Sequence, residues 1–277
     1  MRLLSLYLLL SLVLSACSDA PQNQEQSGMK QFTSDQSFQE AHEEPGDLNY
    51  EGMGQRINLP TTSVKDAQAF YFKPVQASNK YLIVIHEWWG LNDYVKQASQ
   101  SFFDQYQNIH VLALDMYDGQ VASNRAEAST YMNELSAERA QEIVQAALNF
   151  AGADASIATI GWCFGGGWSL KTAIAAENQA DACVIYYGSP VESVQELAPL
   201  QAPILGIFAE KDRWINHEMI DKFQAICKAS KKSFEEHWYD ADHAFANPSG
   251  DRYNENAALE AQKEVDRFLQ KHWYSEN

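Results

Sequence analysis

From residue 50 onward, short apolar runs alternate with polar, glycine-bearing turns. "AFYFKPV" (69–75) and "YLIVIHEWWG" (81–90), with a proline and an Asn-Lys turn between them, predict two neighbouring strands. "IHVLALDMYDG" (109–119), "ASIATIGWCFGG" (155–166), "ACVIYYG" (182–188), "PILGIFAEKD" (203–212) and "SFEEHWYDADH" (233–243) predict further strands. The apolar spacing lengthens to a helical period in "AERAQEIVQAALNFAG" (137–152), "GWSLKTAIAAE" (167–177), "HEMIDKFQAICKA" (217–229) and "AALEAQKEVDRFLQKHW" (257–273). Strands that are apolar throughout are covered on both faces. Alternating with helices, they predict an α/β fold with a mostly parallel central sheet and helices on both sides. No internal repeat is visible, and residues 50–277 are expected to form one domain.

The first 49 residues differ. Residues 1–16, "MRLLSLYLLLSLVLSA", carry one Arg and then only apolar residues and Ser, the form of a secretory signal too short to span a bilayer comfortably. The run ends in "LSAC", which resembles a bacterial lipoprotein signal, with Cys17 as the residue that would receive the lipid. An ordinary signal peptide with a chance cysteine is the alternative. Ser18, rather than Asp, follows that cysteine and points to the outer membrane. Residues 17–49 are rich in Gln, Ser, Glu and Asp and read as the lipidated Cys17 and a flexible tether, with a helical turn in "SFQEAHEE" (37–44). The expected location is therefore an exported, membrane-anchored lipoprotein facing the periplasm, and a monomer is expected.

Composition removes some functions. Of 277 residues, 45% are hydrophobic and the formal net charge is -17, without a basic patch, so nucleic acid is not an expected partner. Besides Cys17 the cysteines are Cys163, Cys183 and Cys227, with no C-x-x-C and no metal-ligand spacing. Neither a metal nor a cofactor is expected. A Cys183–Cys227 bridge is one reading of that pair, and two buried thiols the plainer one.

Cys163 stands out. "GWCFGGGWSL" (161–170) places it between a strand and a helix, with Gly161 and Gly165 two residues to either side. G-x-C-x-G in that setting is the nucleophile-elbow pattern with Cys for Ser: the glycines make room for a strained turn, and the helix start favours a thiolate. A nucleophile needs a base, and the base an orienting acid, which in this architecture follow in the order nucleophile, acid, His. Asp212 after "PILGIFAEK" and His243 after "SFEEHWYDAD" fall at strand ends in that order. Asp240 and Asp242 are alternative acids, and Asp212 alone could be a helix cap. His217 and His237 are less well placed.

Together, "HEWWGLNDY", "DMYDGQ", "GWCFGG", "FAEKD" and "DHAFAN" resemble, in order, the motifs of the dienelactone hydrolase family, a branch of the α/β-hydrolase fold. The resemblance runs from about residue 55 to the C-terminus. It implies Cys163 as nucleophile, His243 as base and Asp212 as its orienter, with Glu87 helping to control the ionisation of the resting thiol. It also implies an oxyanion hole formed by the backbone N–H groups of Trp88 and Phe164. Trp89, Tyr117, Trp162 and Arg125 are expected to line the substrate pocket, with Trp88 and Trp214 as further candidates for its apolar wall, while Trp168 is expected in the core.

One departure matters. Asn247 stands where members acting on dienelactone carry a carboxylate-binding Arg, and Arg125 or Arg139 would have to replace it. The expected activity is hydrolysis of a small ester or lactone. A broad carboxylesterase or thioesterase, a non-catalytic binding lipoprotein on the same fold and a redox thiol are the rivals.

Overall fold

The computed structural model describes residues 28–274. The expected signal segment and Cys17 lie outside the described residues. Eight strands form one sheet: β1 (Gln55–Leu59), β2 (Ala67–Phe72), β3 (Lys80–Ile85), β4 (His110–Asp115), β5 (Ser156–Trp162), β6 (Ala180–Tyr186), β7 (Ile204–Ala209) and β8 (Phe234–Tyr239). The helices are α1 (Gln36–Glu40), α2 (Asp93–Gln105), α3 (Arg125–Glu134), α4 (Ala137–Ala151), α5 (Phe164–Ala176), α6 (Val194–Leu197), α7 (His217–Ala229) and α8 (Glu255–Leu269).

The sheet order is β1-β2-β4-β3-β5-β6-β7-β8, antiparallel through the β1/β2 and β2/β4 pairs and parallel elsewhere. β2 and β3 were expected side by side, but β4 lies between them. A short turn would allow an antiparallel β2–β3 hairpin, whereas β3 instead takes β4 as a parallel neighbour across the α2 crossover. The continuous apolar runs are fully buried: every residue of β4 and β7 is enclosed, and in β3 only the first residue is half-exposed. At the edges, β1 is largely exposed and β8 half-exposed.

Side-chain caps set where helices begin. Asn92, Asn124, Ser136, Asn216 and Asn254 each accept a hydrogen bond from the amide three residues on, starting α2, α3, α4, α7 and α8. Each such cap contributes about 1 kcal/mol by satisfying a donor the helix leaves open.

The topology also locates a crevice. From β3 the chain crosses to β4 on one side and then reaches β5 on the other, so the strand order reverses between β3 and β5. Loops leaving the carboxyl ends of two strands part at such a switch point, and ligands bind there. Glu87 and Cys163 follow those two strands.

Residues 28–42, expected to belong to a flexible tether, are folded onto the domain. Met29, Phe38, Ala41 and His42 are buried. Asp35 caps α1, accepting hydrogen bonds from the amides of Ser37 and Phe38, and its other oxygen accepts the Trp214 indole N–H at 3.1 Å. Thr33 Oγ1 bonds Asn133 of α3 at 3.0 Å, and Arg125 Nε donates to the His42 carbonyl at 2.7 Å. A composition-based reading misses this because the segment supplies only a few apolar anchors to a core built elsewhere.

Candidate active site

Cys163 sits between β5 and α5 with φ 53° and ψ -115°, a left-handed conformation that strains any residue with a side chain. Its amide donates to the Tyr186 carbonyl at 2.9 Å, which holds the turn against β6. The flanking glycines are required by distance. A Cβ on Gly161 would come within 2.1 Å of the Gly165 carbonyl oxygen, and one on Gly165 within 2.2 Å of the Ile85 carbonyl oxygen. The expected elbow is present.

Asp212 lies in the turn after β7 and His243 in the turn after β8; both side chains are fully buried. Asp212 Oδ1 accepts the amides of Trp214 and Ile215 at 2.9 and 3.0 Å, which fixes the carboxylate. Its Oδ2 accepts a hydrogen bond from His243 Nδ1 at 2.5 Å. With Nδ1 donating, Nε2 is the bare nitrogen of the neutral ring. That Nε2 is buried without a hydrogen-bond partner, and one nitrogen of the His243 ring lies within 4.8 Å of Cys163 Sγ. The alternative acids are engaged elsewhere: Asp240 pairs with Lys211 and Asp242 with Arg252. His217 pairs with Glu210, and His237 with Glu235.

A third buried ring completes the site, one the sequence reading did not single out. His42 Nδ1 donates to the Phe38 carbonyl at 2.8 Å, leaving its Nε2 as acceptor 3.7 Å from Cys163 Sγ. The His42 and His243 rings stand 5.2 Å apart at an interplanar angle of 65°. Phe38 wedges the segment in place, edge-on to Trp88 at 5.5 Å and to Trp214 at 5.3 Å. A signal for this existed in Asp35 as a cap ahead of Phe38 and His42, which at i and i+4 share one helical face.

Burial governs the charges. It pushes the Cys163 thiol well above its ordinary range; the Glu87 and Asp212 carboxylates add to this, and the Phe164 amide only partly offsets it. Desolvation and the two carboxylates thus oppose the thiolate expected at a helix start and favour the neutral thiol. Burial, reinforced by the neighbouring His243, holds His42 well below the usual histidine range, so it is neutral too. Burial raises Glu87 from 4.5 to about 7, against the opposing hydrogen bond from Asn247 and the opposing effect of His243 when protonated. Asn247 Nδ2 donates to Glu87 Oε2 at 3.0 Å, so this side chain serves Glu87.

The expected pocket residues separate. Trp89 and Arg125 line a cavity of about 230 Å³ with His42, Ala244, Asn247 and Arg252. Tyr117 is buried beside Phe164, ring centroids 5.4 Å apart, and its hydroxyl has no partner, nor has the indole N–H of Trp88. Trp162 is not part of the cavity lining. The last residue of β5, it packs on Tyr186 with ring centroids 5.8 Å apart. Trp168 packs at the core margin under Lys171, and Trp214 joins the site through Phe38 and His243. Arg139 is committed to Asp118 and Glu142. Cys183 and Cys227 are free buried thiols.

Comparison with known proteins agrees with this architecture. The model of the dienelactone hydrolase family matches residues 67–273. "Carboxymethylenebutenolidase 1" of Cupriavidus pinatubonensis is 23% identical over 211 residues, covering 70% of this chain and 86% of its own. "Protein usf" of Aquifex pyrophilus is 28% identical over 207 residues, covering 70% and 88%. Among solved structures, a dienelactone hydrolase-like promiscuous phosphotriesterase from metagenomic libraries superposes with a TM-score of 0.67 at 20% identity, over 80% of this chain and 100% of its own. With its α/β sheet, its glycine-flanked Cys163 elbow and a family match spanning most of its length, the chain belongs to the dienelactone hydrolase family.

Proposed function

We propose that this protein hydrolyses a small ester or lactone, with Cys163 as nucleophile, His243 as general base and acid, and Asp212 as the group that orients His243. The observation that carries the reading is the His243 ring, fixed through Nδ1 by Asp212, with an unpartnered Nε2 and a ring nitrogen within 4.8 Å of Cys163 Sγ. A base so placed can take the thiol proton and later return it.

The thiol proton passes to His243 Nε2 as Sγ bonds to the substrate carbonyl carbon. The electron pair released to the carbonyl oxygen is held by the backbone N–H groups of Trp88 and Phe164, a type of donor worth roughly 3 kcal/mol each in the transition state. Collapse expels the alkoxide, which takes the proton from His243 and leaves a thioester on Cys163. Water, deprotonated by His243, then attacks that thioester and frees the carboxylate and the thiol. Asp212 keeps the histidine in the tautomer both steps require. Glu87, poised near neutrality by burial, controls the field in which the thiolate forms.

Cys163 and His243 have no exposed surface, and His42 stands 3.7 Å from Sγ; we propose that access to Sγ involves displacement of residues 28–42. Asn247 is occupied by Glu87, which argues against dienelactone itself as the substrate. The partner is thus a small carboxylic ester or lactone, with a thioester open to the same chemistry. Replacing Cys163 with Ala removes hydrolysis of an aryl-ester and lactone panel; undiminished turnover by that variant would remove the basis of the proposal. A wild-type protein inert toward the whole panel would favour the binding-protein alternative.

We further propose, from "LSAC" alone, that Cys17 is lipidated and anchors the protein to a bacterial membrane. Fractionation tests it: Cys17→Ser releases the protein into the soluble fraction, and unchanged membrane attachment would refute the anchor.

A further inference from the structure

The side chains around Cys163 form a donor set that the sequence spacing concealed. Sγ of Cys163 and one nitrogen each of His42 and His243 all lie within 4.8 Å of one another, and all three residues are buried. They come from places 121 and 80 residues to either side of Cys163, so no short motif announces them. We propose that Cys163, His42 and His243 constitute a Zn²⁺ site, which when filled ties the N-terminal segment onto the nucleophile and closes the enzyme.

Four observations carry this. The donor set, one thiolate and two imidazoles, suits a borderline cation such as Zn²⁺ and is poor for Mg²⁺ or Ca²⁺, which take oxygen. The spacing is near that required: bonds of about 2.0–2.1 Å to nitrogen and 2.3 Å to sulfur place tetrahedral ligands roughly 3.3–3.6 Å apart, and Cys163 Sγ already stands 3.7 Å from His42 Nε2. Both imidazoles are oriented from behind. His243 Nδ1 donates to the Asp212 carboxylate and His42 Nδ1 to the Phe38 carbonyl, the outer-shell arrangement that aims a bare Nε2 at a metal. Finally, His243 Nε2 is buried and unpartnered, a polar atom on a ring that belongs to the cluster, with nothing to bond.

A second group, Glu235, His237 and Glu264, also brings its ligand atoms together but is half-exposed. Arg267 already pairs with both of its carboxylates, which removes most of its attraction for a cation. The buried set is the stronger candidate.

Binding is acid–base chemistry without electron transfer. The Cys163 S–H bond breaks, its proton goes to the buffer, and a Zn–S bond forms while both imidazoles enter neutral. Each metal bound therefore releases one proton. Filling the site also removes the sulfur lone pair from nucleophilic use, so the inhibitory consequence rests on the proposed hydrolase reading, whereas the binding does not.

Titration of the purified, chelator-treated protein with Zn²⁺ by calorimetry, in two buffers of different ionisation enthalpy, tests the site. One tight equivalent with one proton released is expected. His42→Gln should weaken binding by more than the roughly 10–100-fold that loss of an outer-shell partner costs. Co²⁺ used as a probe should give a near-ultraviolet thiolate charge-transfer band that Cys163→Ser abolishes. Circular dichroism of both variants confirms that they are folded. Unchanged affinity in His42→Gln, a band that survives Cys163→Ser, or binding lost only in His237→Ala would each overturn the proposal. These readings need no substrate, so they stand apart from whether the protein hydrolyses esters. If it does, one equivalent of Zn²⁺ should abolish turnover and a chelator restore it.

Discussion

Glu87 offers a quantitative test of how burial sets the charges of this site. Its carboxyl is raised from 4.5 to about 7, with desolvation as the largest cause. The folded state therefore holds a proton on Glu87 over a pH range in which the unfolded chain has lost it. Stability then falls as pH rises through the window from 4.5 to about 7 and flattens above it, the reverse of a carboxylate held low by an ion pair. At about 1.4 kcal/mol per unit of displacement, the Glu87 penalty is about 1 kcal/mol at pH 5 and about 3 kcal/mol at pH 8. Glu87→Gln keeps a group able to accept from Asn247 but cannot ionise. Urea unfolding of both proteins at the two pH values, read as the difference between them, cancels the other titrating groups. The variant should gain about 2–2.5 kcal/mol relative to wild type on going from pH 5 to pH 8. A difference independent of pH, or one of opposite sign, would refute the argument that burial leaves Glu87 half-neutral beside Cys163.

Two further outcomes follow from the elbow and the folded segment. Gly165→Ala places a Cβ within 2.2 Å of the Ile85 carbonyl oxygen, so the soluble yield or the melting temperature should collapse, and a near-wild-type melt would show the turn to be slack. Phe38→Ala removes an anchor whose truncation costs about 3–5 kcal/mol in a core, more than a short surface segment can spare. Residues 28–42 should then detach while the domain stays folded. Alkylation of the buried Cys163 by iodoacetamide should quicken by at least about tenfold, the effect of some 1.4 kcal/mol on the opening equilibrium; an unchanged rate would mean the segment does not guard the thiol.

How much of this was legible in the sequence depends on whether the determinant is local. The runs of β4, β5, β6 and β7 are mostly apolar because both faces are covered, and they read directly. The helix over 217–229 is amphipathic and read to its observed ends. β1, with an exposed polar pattern, was not assigned, and neither was α3, which buries only Ala128 and Met132. The Cys163 elbow and the order Asp212, His243 were legible because an elbow constrains nearby glycines and strand ends gather polar residues. Strand adjacency was not: β2 and β3 are joined by a short connection, and only the placement of β4 separates them. The desolvation that opposes a thiolate at the helix start could not be read, because a dipole is visible in a sequence and burial is not. His42 was missed for a similar reason. A histidine in an acidic, polar stretch gives no sign that Phe38 will carry it into the core.

The central claim is that Cys163 forms the covalent bond to the substrate while His243 moves the protons. The most direct measurement is mass spectrometry of the protein quenched during turnover of an activated aryl ester, with peptide mapping. The account predicts a mass increase equal to the acyl group on the peptide that contains Cys163, persisting in a His243→Ala variant that forms the adduct slowly and cannot clear it. Acylation of any other residue, or steady hydrolysis by Cys163→Ala at the wild-type rate, would contradict it.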